Sequence, residues 1–197
     1  MNREDEPPRS ASERLDIRWS SHYDQGREYR RIIPSELDKI LSFVGEASKT
    51  ALDIGCGTGH LARELYHRGY TVVGLDASTS AIDKARAAAS DPSGRLTYVH
   101  ADFERNDLPR LPRQPYGLIT CKLVYAFIKE KPTFLERVRQ LLVPGGSFVV
   151  VTPMPEDAPD KPAIAATAED VDLLSSTFKE AALYKEHGMT HFVGRTS

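Results

Sequence analysis

Cysteine is nearly absent: Cys56 and Cys121 are the only two in 197 residues. Two thiols cannot build a disulfide framework or a four-cysteine zinc site. No metal ligand set is therefore expected, and a reducing cytoplasm is the expected setting. Long apolar runs are missing too. The longest reach about six residues, far short of the roughly 18 that a membrane-spanning helix needs. The polar start MNREDEPPRS lacks the pattern of a secretory signal. Neither charge sign is in excess, since 26 Lys and Arg face 28 Asp and Glu for a net charge of −2. This balance argues against nucleic acid as a partner, because phosphate binding needs clustered bases and Arg105, Arg110 and Arg113 make only a thin cluster. Neither an internal repeat nor a G-x-x-x-x-G-K-[ST] phosphate loop occurs.

What remains is a chain with 40% hydrophobic and 27% charged residues, the composition of a globular protein. Its length suits one domain that buries roughly 70% of its unfolded surface. Residues 1–12 read as a disordered tail, and 13–197 as a single domain. Within it, 13–45 read as helical with a break near Pro34. From Thr50 the text alternates. Strands are expected at Thr50–Ile54, Thr71–Leu75, Leu96–Val99, Leu118–Cys121 and Ser147–Thr152. Helices are expected between them at Leu61–Arg68, Ser80–Ala89 and Pro132–Leu142. Such alternation across 46–152 implies a parallel sheet with helices on both faces. Residues 153–167 form a proline-rich loop. A helix at Ala168–Phe178 and a hairpin of Ala181–Lys185 with His191–Arg195 complete 168–197.

The informative stretch is Ala51–Leu61, ALDIGCGTGHL, an apolar strand that runs through three glycines into a helix. Glycines permit a tight turn and close approach of a ligand to the main chain. The helix that follows presents unpaired N–H groups. Asp76 lies 21 residues after Gly55, near the offset at which a second-strand carboxylate grips a ribose diol. Adenosine binding follows from that spacing. The dinucleotide fingerprint G-x-G-x-x-G is not met, because the third glycine comes early, at Gly59, and His60 takes the sixth place. Asp53, two residues before the loop, would sit badly beside a pyrophosphate and well beside an ammonium group.

With these residues in view, LDIGCGTGHLA resembles the first motif of the class I S-adenosylmethionine-dependent methyltransferases. VVGLDAS resembles their second motif, YVHADFE their third and YGLITCKLVYAF their fourth, and LLVPGGSFVVVTP resembles the fifth-strand motif. The resemblance covers roughly residues 35–197. It implies a three-layer, Rossmann-like α/β fold, with a mostly parallel seven-stranded sheet, its last strand antiparallel, and helices on both faces. It also implies S-adenosylmethionine as the cofactor. Gly55, Cys56, Gly57 and Gly59 would then form the loop under the cofactor, with Asp53 facing its amino group. Asp76 would hold the ribose hydroxyls, and Ala77 and Phe103 would wall the adenine whose amino group Asp102 takes. Cys121 would lie beside the methionine portion. Residues 13–45 would act as a lid, with Tyr23 and Tyr29 at the methionine end. One departure is Gly117, where the family commonly has Asp.

Methyl transfer from a sulfonium needs mainly orientation and electrostatics from the protein. Lys122, His22 and Tyr125 are the candidate catalytic residues. Lys122 is a poor base at an ordinary pKa but could hold a carboxylate or a phenolate. Its alternative is a solvent-exposed side chain, and for Tyr23 and Tyr29 the alternative is a surface helix face. Both cysteines could equally be small buried fillers, and His187 and His191 could simply decorate the hairpin. The fourth motif lacks [DNS]-P-P-[YF], which disfavours nucleobase amines and glutamine amides, and no paired-glutamate loop for arginine is present. A small-molecule acceptor is expected. The alternatives are a non-catalytic partner subunit and, less well supported, a nicotinamide oxidoreductase.

Overall fold

The computed structural model describes residues 10–45, 47–105 and 110–197. Most of the expected tail, residues 1–9, lies outside that range. At its end the structure corrects the expectation, because a helix begins at Ala11. Ser10 Oγ accepts the Glu13 amide at 3.2 Å, and Glu13 Oε2 accepts the Ser10 amide at 2.6 Å. This reciprocal cap satisfies two otherwise orphaned N–H groups.

Helix α1 spans Ala11–Asp24 and α2 spans Pro34–Phe43. The break between them is a nine-residue strap, 25–33, rather than a kink at Pro34. Pro34 opens α2, where its missing N–H costs nothing. There follow β1 (Thr50–Ile54), α3 (His60–His67), β2 (Thr71–Asp76), α4 (Thr79–Ala87) and β3 (Leu96–His100). The second half holds β4 (Tyr116–Lys122), α5 (Lys131–Leu141), β5 (Leu142–Thr152), α6 (Ala168–Thr177), β6 (Lys179–Glu186) and β7 (Met189–Arg195). The strand order is β3-β2-β1-β4-β5-β7-β6. The first five strands run parallel and β7 inserts antiparallel beside β5. This is the three-layer fold that the motifs implied.

Side chains alternate across the strands and divide the core in two. Leu52, Ile54, Val73, Ile119, Phe148 and Val150 pack with Phe134, Leu135 and Val138 of α5 and Leu174 of α6. Ala51, Val72, Leu118, Val149 and Val193 pack on the other face with Leu37 and Ile40 of α2, Leu61 and Leu65 of α3 and Ile82 of α4. Fully burying one such side chain contributes about 1.5–3 kcal/mol. The proline-rich loop carries two short 3-10 turns, Pro155–Asp157 and Pro162–Ile164. The terminal hairpin is longer than expected. Its turn is His187–Gly188, both at positive φ, which suits the twist of a two-residue hairpin loop.

The segment Pro144–Gly146 lies inside β5. Tyr116 pairs with Leu142 and Leu118 with Ser147, so two steps on β4 face five on β5 and the segment bulges. Gly117 follows from packing. A Cβ there would overlap the Ser48 carbonyl, and its amide donates to Thr50 Oγ1 at 3.1 Å. The chain leading into β1 therefore occupies the space an Asp side chain would need. Gly117→Ala should overpack this contact by about 1–3 kcal/mol. The expected result is a melting midpoint roughly 2–12 °C lower in thermal unfolding, and an unchanged midpoint would refute this account of the glycine.

Candidate functional site

The five parallel strands end at one edge of the sheet, which is where open α/β sheets present ligand sites. The ends of β1, β2 and β4 and the chain just after β3 bring Asp53, Asp76, Lys122 and Asp102 to a single cavity. Asp53 pairs in register with Thr120. Thr120 Oγ1 donates to Asp53 Oδ1 at 2.8 Å. Asp53 Oδ2 is buried and has no hydrogen-bond partner among the described residues. Burial pushes the Asp53 carboxyl up to about 7, against the Thr120 hydrogen bond and the Lys122 charge, with Asp76 adding to the rise.

Lys122 is the last residue of β4 rather than the exposed start of a helix. Its side chain lines the cavity on the same strand face as Thr120. Nζ donates to the Arg30 carbonyl of the strap. Burial drives the ammonium down to about 8, against the pull of Asp53.

The glycine loop crosses above β2. The amides of Gly55 and Cys56 donate to the Leu75 carbonyl at 2.7 and 3.0 Å. The Gly57 amide donates to Asp76 Oδ2, and the Ser78 amide to Asp76 Oδ1, both at 2.8 Å. Burial raises the Asp76 carboxyl, and these two amides oppose the rise. Gly57 has φ +54°, and a Cβ there would lie 2.7 Å from the Tyr23 hydroxyl. Only a bare backbone fits between the loop and Tyr23.

Helix α1 covers this edge, held by a polar stripe at four-residue spacing, which is one face of a helix. Ser12 donates to Asp102 at 3.1 Å. Asp16 accepts from the Thr79 amide and hydroxyl, both at 2.8 Å, and so caps α4. Ser20 meets Ser78 at 2.9 Å, and Ser80 donates to Asp24 at 2.5 Å. Tyr23 is buried beneath, and the edge of Trp19 meets Phe127 at 5.1 Å. Tyr23 and Tyr29 thus face the cavity and not solvent, as do Ala77, Cys56 and Phe103.

Four expected site residues do not line the cavity. Tyr125 belongs to the core around Phe134, because the 3-10 turn Tyr125–Phe127 rotates it inward. His22 stacks behind Tyr29 at 4.9 Å, and burial lowers its pKa. Gly59 caps α3 and its carbonyl accepts from Tyr98 at 3.3 Å, while Cys121 points into the core between β1 and α5. Residues that sequence reasoning missed are Glu28, Arg30 and Arg31 of the strap and His60, whose buried Nδ1 has no partner among the described residues. Their signal was proximity to Tyr29 and to the glycine loop. No cluster of three or more metal-ligand side chains occurs among the described residues. A second cavity shares Glu28, Tyr29, Arg30 and Leu123 with the first. It is otherwise walled by Pro153, Ala158, Pro159, Ile164 and Met189, with Asp157, Asp160 and Lys161 at its sides.

Comparisons agree with this geometry. A family model described as a methyltransferase domain matches residues 51–146. The mitochondrial ubiquinone biosynthesis O-methyltransferase of Schizosaccharomyces pombe is 35% identical over 109 residues, 54% of this chain and 38% of that protein. The ubiquinone biosynthesis O-methyltransferase of Yersinia pestis is 31% identical over 143 residues, 72% of this chain and 58% of that protein. The chain thus spans about half the length of the curated relatives it matches. The glycopeptide N-methyltransferase MtfA, solved with S-adenosyl-L-methionine, superposes with a TM-score of 0.67 at 18% identity, covering 86% of this chain and 96% of that one. At that identity the likeness establishes the fold alone.

Asp16→Ala should loosen the lid. Losing a charged acceptor costs about 1.5–3 kcal/mol, which shifts lid opening by roughly ten- to a hundredfold. Trp19 is the only tryptophan, so its emission should move to the red with an unchanged far-ultraviolet spectrum. Wild-type emission in the variant would show that Asp16 does not hold the lid.

Proposed function

The chain belongs to the S-adenosylmethionine-dependent methyltransferase family, and on that footing we propose that it methylates a hydroxyl oxygen of a small, mostly apolar acceptor. The observation that carries this reading is the unpartnered, buried Asp53 Oδ2 beside a bare glycine loop, with Asp76 and Asp102 on the same strand edge. These residues fit the cofactor. When bound, S-adenosylmethionine supplies a methyl group on a positively charged sulfur. Asp53 has one free oxygen for an ammonium donor. Gly55 and Gly57 let a ligand lie against the backbone, and Cys56 lines the floor. Asp76 keeps further acceptor capacity for two ribose hydroxyls, since each oxygen takes only one amide. Ala77 and Phe103 supply adenine walls. Asp102 accepts from the Glu104 amide and Ser12, each through one lone pair, and can take an amino group as well. Tyr23 and Tyr29 close the methionine end.

The second cavity is the proposed acceptor site, and its apolar walls favour an uncharged ring or chain. Lys122 lines the first cavity beside Leu123 and holds the Arg30 carbonyl, and both of those residues line the two cavities. With a pKa of about 8 it is poised between two useful states. As an amine it accepts the proton of an acceptor hydroxyl, and as an ammonium it stabilises the oxyanion. The relatives' names, which specify oxygen as the methylated atom, support the same choice. We place the protein in the cytoplasm, where Cys56 and Cys121 stay as the thiols they are here. A non-catalytic subunit would differ in one respect, binding the cofactor without turnover.

Calorimetric titration with S-adenosylhomocysteine tests the cofactor site. Asp76→Ala should weaken binding roughly ten- to a hundredfold, and wild-type affinity in this variant would overturn the assignment. The raised Asp53 carboxyl is protonated below about 7 and ionised above it. Affinity should therefore rise with pH, by roughly tenfold from pH 6 to 8. Asp53→Asn should flatten that profile, and an equally steep profile would exclude Asp53 as its source. In a screen of phenolic acceptors, Lys122→Met should lower turnover by roughly a hundredfold or more. Unimpaired turnover would remove Lys122 from the reaction.

A further inference from the structure

A second charged cluster lies below the site, with its carboxylate and imidazole fully buried. Glu36 of α2 is 1% exposed and His191 of β7 is 0% exposed. His191 Nε2 meets Glu36 Oε1 at 2.8 Å. Arg30 of the strap forks onto the same carboxylate, Nη1 to Oε1 at 3.0 Å and Nη2 to Oε2 at 2.7 Å. The Ile33 amide adds a longer bond to Oε2 at 3.4 Å. Tyr184 stacks on His191 at 4.8 Å and closes the cluster from the hairpin side. Burial would raise the Glu36 carboxyl, but His191 and Arg30 outweigh it and hold the carboxyl down at about 2.

Such a cluster is a weak source of stability, because taking charges out of water offsets most of their attraction. What it supplies is direction, since a bidentate guanidinium–carboxylate pair fixes both distance and plane. Here the fixed object is the strap. Residues 27–33 carry neither helix nor strand, so side chains must hold them. The Arg30 side chain is gripped from below by Glu36, and its carbonyl is gripped by Lys122. Glu28, Tyr29 and Arg30 then form the wall shared by the two cavities. Glu36 and His191 line neither cavity.

We propose that Glu36 and His191 are positioning residues that act through Arg30 to fix the strap as the wall of the amino-acid end of the cofactor site. The inference rests on the cofactor reading above. That reading puts the nucleoside against Asp76 and Asp102 and the amino-acid portion near Asp53 and Lys122. Loss of the cluster should therefore weaken one end of the ligand and spare the other.

The experiment compares two ligands. S-Adenosylhomocysteine has both ends, whereas 5′-deoxy-5′-methylthioadenosine has the nucleoside and sulfur without the amino acid. In Glu36→Gln the dissociation constant of the first should rise about tenfold, while that of the second stays within twofold of wild type. General destabilisation would weaken both alike, so parallel losses in a folded variant, or no loss at all, overturn the proposal. Hydrogen exchange without ligand addresses the strap directly. Amides 27–33 should exchange at least tenfold faster in Glu36→Gln while those of β1 and α3 keep wild-type rates, and unchanged strap rates overturn the anchoring. Should Glu36→Gln fail to fold, His191→Asn leaves the Arg30 fork in place and unhooks it from β7. The same pattern at about threefold supports the role, and wild-type values overturn it. Wild-type protein that binds neither ligand would overturn the cofactor reading instead, and with it the role assigned to the wall, while the exchange rates would still judge the anchoring.

Discussion

The in-register pairing of Asp53 with Thr120 across β1 and β4 governs the chemistry of the sheet edge. It places a carboxylate in an apolar layer with one oxygen satisfied and one left over. A buried polar atom without a partner is costly, and the ammonium group of the proposed cofactor would satisfy this one. The same register sets Lys122 two residues beyond Thr120 on the same face. An acid pushed up and a base pushed down thus share one cavity, each moderated by the other. Slipping β4 by one residue would turn Thr120 and Lys122 to the opposite face, and the site would vanish.

Two kinds of bonding surround this centre. Beneath it the core is apolar and close-packed on both faces of the sheet. Above it α1 meets the body through the hydroxyls and carboxylates of Ser12, Asp16, Ser20 and Asp24 and through the aromatic rings of Trp19 and Tyr23. Hydrogen bonds of this kind exchange with water at small net cost, whereas opening an apolar interface forfeits its burial.

The strap between lid and α2 is treated differently. It is fastened from below by Glu36 through the Arg30 fork and from above by Lys122. Lys122 is shared between the two regimes. Its ammonium holds the strap carbonyl, and its burial leaves it near the pH at which a proton can be taken up or given.

The sequence by itself determined that Asp53, the glycine loop and Asp76 come together, the grouping on which the proposed cofactor site rests. Asp53, the loop 55–59 and Asp76 lie within one strand–loop–helix–strand unit, where period-2 alternation and glycine spacing report local geometry. Asp102 follows from the next strand. Capping by Ser10 and Glu13 was equally readable, though the tail reading passed over it. Lys122 was legible as a strand-end residue, but not its burial, which depends on a strap 92 residues away in sequence. Tyr125 and His22 do not line the cavity, because nearness along the chain does not fix which way a side chain turns on a 3-10 turn or a helix. His191 offered a clue, since it alternates with the buried Val193, as did Glu36 within the apolar stripe of Leu37 and Ile40. Neither clue names a partner. Only the tertiary structure, which lays α2 against β7, brings that acid, imidazole and guanidinium together. Contacts between distant segments are set by packing, and packing has no local signature in the chain.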